Sequence, residues 1–267
     1  MANIVPISNS RHAGKAWRRP ANFAFAAAQS VAPLVGPEFG RVALSMPIAF
    51  IEQAGQYRPV AVMSPLSGRN LFIGPAGQWL GEYVPAGLRS YPFRLGRLDG
   101  GEEVALCIDE ESGLVVDAEE GAEAFFDAEG TLSAASKAML DFLAAMEHAR
   151  MSTDLAVTAL AEAGLIEPWP LQVKTGTDST QPVRGLYRIN EAALNALDDA
   201  AFLKLRKTAG LPLAYSQLLS VGQMGIFERL SLTQQQLAQA HQQPQPPKIS
   251  SLDEIFERAR SQTLRFN

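Results

Sequence analysis

An α+β fold is what the sequence predicts, on three observations. The N-terminal half holds short runs of alternating apolar and polar residues broken by Gly and Pro, as strands do. Residues 133–163 carry apolar side chains at helical spacing. The chain beyond them reads as a β-hairpin and then short, well-capped helices. The expected architecture is a β-rich N-terminal half packed on the long helix, followed by a β-hairpin and a helical C-terminal part.

Residues 1–20 lack a sustained pattern and are expected to form an extended arm. Its basic residues Arg11, Lys15, Arg18 and Arg19 would then be solvated, or would meet an acidic partner. Alternation at Arg41–Leu44 and Tyr57–Val62 predicts strands. Leu71–Ile73 and Trp79–Leu80 read as strands flanking a turn at Gly74-Pro75-Ala76-Gly77, where Pro presets φ and Gly relaxes it. The prolines of 83–94 exclude a long element, and a turn or short helix fits 85–90. Val104–Ile108 and Leu114–Val116 read as a second hairpin about Asp109–Gly113. The acidic stretch at 119–129 reads as a solvated loop anchored by Phe125 and Phe126.

Ser133 is placed to cap the long helix. Met139, Leu140, Phe142, Leu143 and Met146 begin its stripe, Leu155, Val157 and Leu160 extend it, and Gly164 stops it. Leu171–Lys174 and Gly185–Ile189 form the expected hairpin, joined by the polar loop Thr175–Pro182. Asn190 and Asp198 cap two short helices, the second closed by Gly210, and Pro212 suits the first turn of another. Residues 233–249, rich in Gln and Pro, read as a linker. In residues 250–267, Ser251 and Glu254 match a capping box. Leu252, Ile255 and Phe256 share a face of that helix and are candidates for docking on this chain or on a partner. The domain expected between arm and linker is 21–232.

The chain has 267 residues, of which 47% are hydrophobic, enough for a sizeable core without disulfide or metal. Its net charge of −5 argues against nucleic-acid binding, which favours a basic face. The one cysteine, Cys107, sits in an apolar run and reads as a buried strand thiol. Arg18-Arg19 ahead of an Ala- and Phe-rich run resembles an export signal, but Asn22, Gln29, Ser30 and Pro33 interrupt it. A cytoplasmic location is therefore expected. No run is long enough to span a bilayer.

Catalytic and cofactor motifs are missing. The three histidines, His12, His148 and His241, lie far apart in sequence and read as solvent-facing. No Cys-x-x-Cys suggests zinc, and no glycine pattern suggests a nucleotide. Neither metal nor cofactor is expected. Asp109, Glu110 and Glu111 crowd one turn, where like charges can raise a carboxyl pKa, although an ordinary exposed turn is the better reading of them.

Several motifs are shared with one family. Gly68-Arg69-Asn70-Leu71-Phe72, Gly77-Gln78-Trp79, Tyr83-Val84-Pro85-Ala86 and Tyr91-Pro92-Phe93 resemble the SapC-like family of bacterial proteins. Cys107-Ile108-Asp109-Glu110, Gly164 to Pro168 and Gly185 to Arg188 add to the likeness, which covers roughly 20–230. The resemblance implies a bacterial surface-layer, envelope or uptake setting beside halogenase-like flavoproteins, oxygenase-like proteins and outer-membrane receptors. It supplies no catalytic residue. Some members are labelled permeases, which conflicts with the lack of a spanning run.

The expectation is a non-catalytic binding or accessory protein with a protein partner, since Trp, Tyr and Arg favour binding hot spots. The candidate binding residues are Arg69, Asn70, Trp79, Tyr83, Arg89, Tyr91, Phe93 and Asp109. The alternatives are an enzyme modifying peptides or glycans, and a surface-layer structural protein.

Overall fold

A computed structural model describes residues 3–97, 104–118, 121–174 and 180–242. The chain enters structure at once, with β1 (Ile4–Pro6), α1 (Asn9–His12) and β2 (Lys15–Trp17). The expected arm is corrected: Trp17 is 2% exposed and His12 1%. Three-residue strands are too short to show a period, so the sequence pattern concealed them. The arm's cations are also engaged. Arg11 bonds Glu110 through two nitrogens, Lys15 pairs with Asp117 at 3.1 Å, and Arg19 lies over the Trp17 ring.

Next come β3 (Val31–Pro33), α2 (Phe39–Ser45), β4 (Ile48–Gln53) and β5 (Gln56–Val62). Arg41–Leu44, expected as a strand, lies in α2, where Phe39, Val42 and Ala43 bury one helical face. Four residues of alternation were too few to separate the two periods. β4 and β5 form a hairpin in register from Ile48↔Ala61 to Gln53↔Gln56. Its two-residue turn puts both Ala54 and Gly55 at positive φ, as a twist-matched hairpin turn requires. The expected strands at 71–73 and 79–80 are reduced to one bridge, Ile73↔Trp79.

There follow α3 (Ala86–Arg89), β6 (Phe93–Arg97), β7 (Val104–Asp109), β8 (Val115–Asp117), β9 (Glu123–Ala124) and α4 (Ala134–Glu162). The short helix expected at 85–90 is present. The second hairpin is not, because β7 lies between β1 and β6 while β8 leaves to pair with β2. Phe125 is fully buried. Ser133 caps α4 by accepting from the Ser136 N–H at 3.2 Å, and Gly164 follows at φ +67. Leu155 leaves the expected core stripe and is 68% exposed.

The last elements are β10 (Ile166–Pro168), β11 (Leu171–Lys174), β12 (Thr180–Val183), β13 (Tyr187–Ile189), α5 (Glu191–Asn195), α6 (Asp199–Lys207), α7 (Gly210–Ser220) and α8 (Ile226–Gln242). β11 pairs with β12, inside the expected loop, and β13 joins β10 and β4 instead. Asn190 and Asp198 cap α5 and α6 as their spacing predicts. Ala209, at φ +58, makes the break assigned to Gly210, which instead opens α7. The linker expected from 233 is helical to Gln242. Gln, Leu and Ala are good helix formers, and the first breaker is Pro244. The rest of the linker and the docking candidates Leu252, Ile255 and Phe256 lie outside the described residues.

Two hydrophobic cores result. The larger gathers the five-stranded sheet β10-β13-β4-β5-β3 with α2, α7 and the C-terminal half of α4. The smaller holds Trp17, Phe93, Leu106, Ile108, Phe125 and Leu143 between the β1-β7-β6 sheet and the N-terminal half of α4. α4, about 43 Å long at 1.5 Å per residue, is the beam between them. Where β13 meets β4 only at Tyr187↔Phe50, Gln217 of α7 completes the ladder. It accepts from Ile189 N–H at 3.0 Å and donates to Ile48 C=O at 3.2 Å. Among the described residues no helix is long and apolar enough to cross a membrane.

Candidate functional site

A cleft of about 490 Å³ opens at the seam of the two cores, within the range of ligand pockets. One wall is a face of the β4–β5 hairpin: Ile51 and Arg58 sit opposite each other in register, and Val60 lies two residues on. Facing it is one side of α4, with Leu143, Met146, Glu147, Arg150 and Asp154 at spacings of three and four. The residues Phe93–Leu95 of β6 close the third side. The floor is thus apolar and the rim charged. A larger hollow of about 640 Å³ lies between Ser64–Ser67 and Gln181–Arg184, but its lining is mainly polar and lacks such a floor.

The rim's charges are unevenly matched. Arg150 donates to Glu147 at 2.6 and 2.8 Å and to Asp154 at 2.5 Å, and Arg58 also pairs with Asp154. The hydrogen bond to Glu147 is the main reason the Arg150 guanidinium sits above its ordinary pKa. Arg94, exposed at the mouth, has no carboxylate partner among the described residues.

Glu38 ties two edges of the cleft together and was missed in the sequence. Its carboxylate, 4% exposed, accepts from Ala86 N–H at 2.6 Å, Tyr83 Oη at 2.9 Å and Val35 N–H at 3.2 Å. Val35 and neighbouring Gly87 both line the cleft. Burial, then the bond to Glu38, pushes the Tyr83 hydroxyl up to about 12, so it is a donor at neutral pH. Arg89 stands over the Tyr83 and Phe142 rings at 5.7 and 5.3 Å. The available sequence signal was Gly36-Pro37-Glu38, a helix opening with Pro first and an acid behind it.

The expected recognition surface divides into separate places. Trp79, Tyr83 and Arg89 do come together, with Trp79 Nε1 donating to Tyr83 C=O at 3.1 Å. Arg69 and Asn70 serve α8. Gln234 donates to the carbonyls of Asn70, Leu71 and Ile73 and accepts from Arg69. Asn70 is itself buried, its side chain bonded to Ala26 C=O and Phe72 N–H. Tyr91 stacks on Phe25 at 4.0 Å. Of the expected residues only Phe93 lines the cleft, and its side chain belongs to the smaller core. Asp109 shapes its own turn by accepting from Asn3 N–H and Glu111 N–H.

In the acidic turn at 109–111, the shift of Glu110 runs opposite to the rise that crowding would give. The hydrogen bond from Arg11 holds Glu110 below the ordinary range. His12 is buried against Phe125, contrary to the solvent-facing position expected, whereas His148 is exposed as expected and the His241 side chain lies outside the described set. Cys107 is a buried strand thiol, and burial raises its pKa. Among the described residues no cluster of three His, Cys, Asp or Glu is placed to hold a metal.

These features define a mixed α+β protein with an apolar, ion-rimmed cleft at the junction of two cores. Residues 7–226 match the SapC family model, so the chain belongs to the SapC family. The match reaches into the N-terminal segment read as an arm, in keeping with its place in the sheets. No curated protein and no solved structure matches the chain.

Proposed function

We propose that this chain is a non-catalytic binding protein, accessory to a protein partner, and that the cleft between the cores is its binding site. The composition of the cleft carries the reading. Its described lining combines an apolar floor with guanidinium and carboxylate groups, most of them paired with one another. Its one hydroxyl, on Ser90, donates to Gly87 C=O. Such a lining holds a ligand better than it moves a proton. Two exposed apolar pairs at i,i+4 spacing, Met151 with Leu155 and Tyr215 with Leu219, add surface suited to a partner. The proposed setting is a bacterial envelope or uptake system, with halogenase-like flavoproteins or oxygenases as the partners to try first.

The enzyme alternative draws on Glu38 and Tyr83. A tyrosine whose pKa is about 12, bonded to a carboxylate that also holds two backbone amides, suits a structural hub more than a catalytic base. The test is affinity capture from a native cell with the wild type and Met146→Arg, which fills the cleft from its half-buried helical wall. A partner retained by the wild type and lost by a folded Met146→Arg supports the reading. Equal capture by both refutes the cleft as the site.

A further inference from the structure

The geometry points to the ligand's class, on the assumption that the cleft binds at all: the free edge of β6 takes an extended peptide segment of the partner, with an acidic side chain against Arg94. Three observations carry this.

The first is the phase of the ladder. Among the described residues β6 pairs only with β7, so in the β1-β7-β6 sheet it is an edge strand. Asp109 N–H bonds Pro92 C=O, and in the antiparallel register Arg94 and Gly96 share that orientation toward β7. Residues 93 and 95 therefore turn their backbone groups the other way. Phe93 N–H confirms the phase by bonding Ser90 C=O on that side. Leu95 N–H and C=O then face outward, with no partner among the described residues.

The second observation is where this edge lies. Phe93, Arg94 and Leu95 line the cleft, so the edge strand that carries the unpaired groups borders an apolar hollow. Proteins ordinarily blunt or cover such edges, because an open one templates another strand. A strand added beside β6 would run about 4.8 Å away and set alternate side chains on the floor. The main-chain bonds would supply affinity and the alternate pockets selectivity.

The third is charge. Arg58 and Arg150 are already met by Asp154 and Glu147, whereas Arg94 has no carboxylate partner among the described residues. An acidic residue beside Arg94 completes the rim, and a basic one there meets an unneutralised cation.

Amide exchange on the full-length wild type tests the edge without any substitution. Leu95 is expected to exchange at least tenfold faster than Arg94 and Gly96. Equal protection would mean that the edge is already covered, and would overturn the assignment. Panning a phage-displayed library of linear heptapeptides on the same chain, with counter-selection on Met146→Arg, tests the occupant. Enriched peptides should alternate apolar residues, carry an acid, and slow Leu95 exchange when added as synthetic peptides. Methylating their backbone nitrogens at alternate positions should cost at least tenfold in affinity, and Arg94→Glu should reverse the preference from acid to base. Peptides that bind without protecting Leu95, tolerate methylation or ignore Arg94→Glu would refute the strand mode. So would an empty panning. If the native partner is still lost with Met146→Arg in those cases, the cleft remains a binding site for a different ligand shape. Capture unaffected by Met146→Arg removes the site itself.

Discussion

The two cores joined by α4 treat their buried polar groups in different ways. In the larger one, buried polar side chains act as clasps. Gln217 bridges β13 and β4, Ser220 Oγ accepts from Ile48 N–H, and Asn70 spans Ala26 and Phe72. In the smaller, His12 Nε2 and Trp17 Nε1 are buried without a hydrogen-bond partner among the described residues, although Nε2 comes within 3.4 Å of Glu110 Oε1. The distance is short enough, but the geometry is not that of a hydrogen bond, so the contact is electrostatic. The larger core thus uses polar side chains to fix which strands meet. The smaller relies on ring packing, with Trp17 edge-on to Phe93 at 4.6 Å.

Gln217→Ala offers the strongest test of this contrast. It orphans Ile189 N–H and Ile48 C=O, each costing about 1–3 kcal/mol when buried and unpaired, so a loss of about 3–5 kcal/mol is expected with the vacated volume. Chemical denaturation measures it, and a loss under about 1 kcal/mol would remove the clasp as an organising device. A smaller loss, about 2 kcal/mol, is expected for Gln234→Ala, because Gln234 is itself only half-buried and water can take its place at the three carbonyls. Amide exchange should then rise in α8 and leave α4 unchanged. Acceleration in both helices would show that Gln234 serves the whole core.

In the smaller core the corresponding experiment should give little. Trp17→Phe removes a donor that has no partner while keeping an aromatic ring, so relief of the buried N–H offsets lost volume and the net change stays within about 1.5 kcal/mol. A loss comparable with that of Gln217→Ala would mean that the indole nitrogen is satisfied in solution, and the contrast between the cores would fail.

The same contrast explains what was legible in the sequence. Caps at Ser133, Asn190 and Asp198 could be read because a cap and the N–H it accepts from lie within three residues of each other. Strand partners could not: β8 pairs with β2 from far back in the chain, and β12, although next to β11, is only four residues long and carries no clear period. The aromatic stretch at 79–89 was recognisable as a cluster, yet its centre, Glu38, lies 45 residues before Tyr83. The cleft was invisible for a similar reason: its walls come from two hairpin strands, an edge strand and a helix, and no local pattern joins them.

His12 gives the finest test, since it is a titratable group inside the less satisfied core. Its Nδ1 accepts from Ser8 N–H, which leaves the proton of the neutral ring on Nε2. Burial lowers its pKa, and this outweighs the opposing pull of Glu110. The unfolded chain therefore binds a proton more readily than the folded one as pH falls through about 6.5, the ordinary histidine value. His12 costs the fold nothing above that pH and progressively destabilises it below, until the folded ring is itself protonated. Wild type should lose more melting temperature between pH 7 and 5 than His12→Gln, which cannot titrate but leaves the Arg11–Glu110 pair in place. The Arg11 part of the Glu110 contribution, its largest and also lost in acid, is common to both proteins and cancels in the comparison. Parallel slopes would show that water reaches His12, and that the smaller core is less dry than its packing implies.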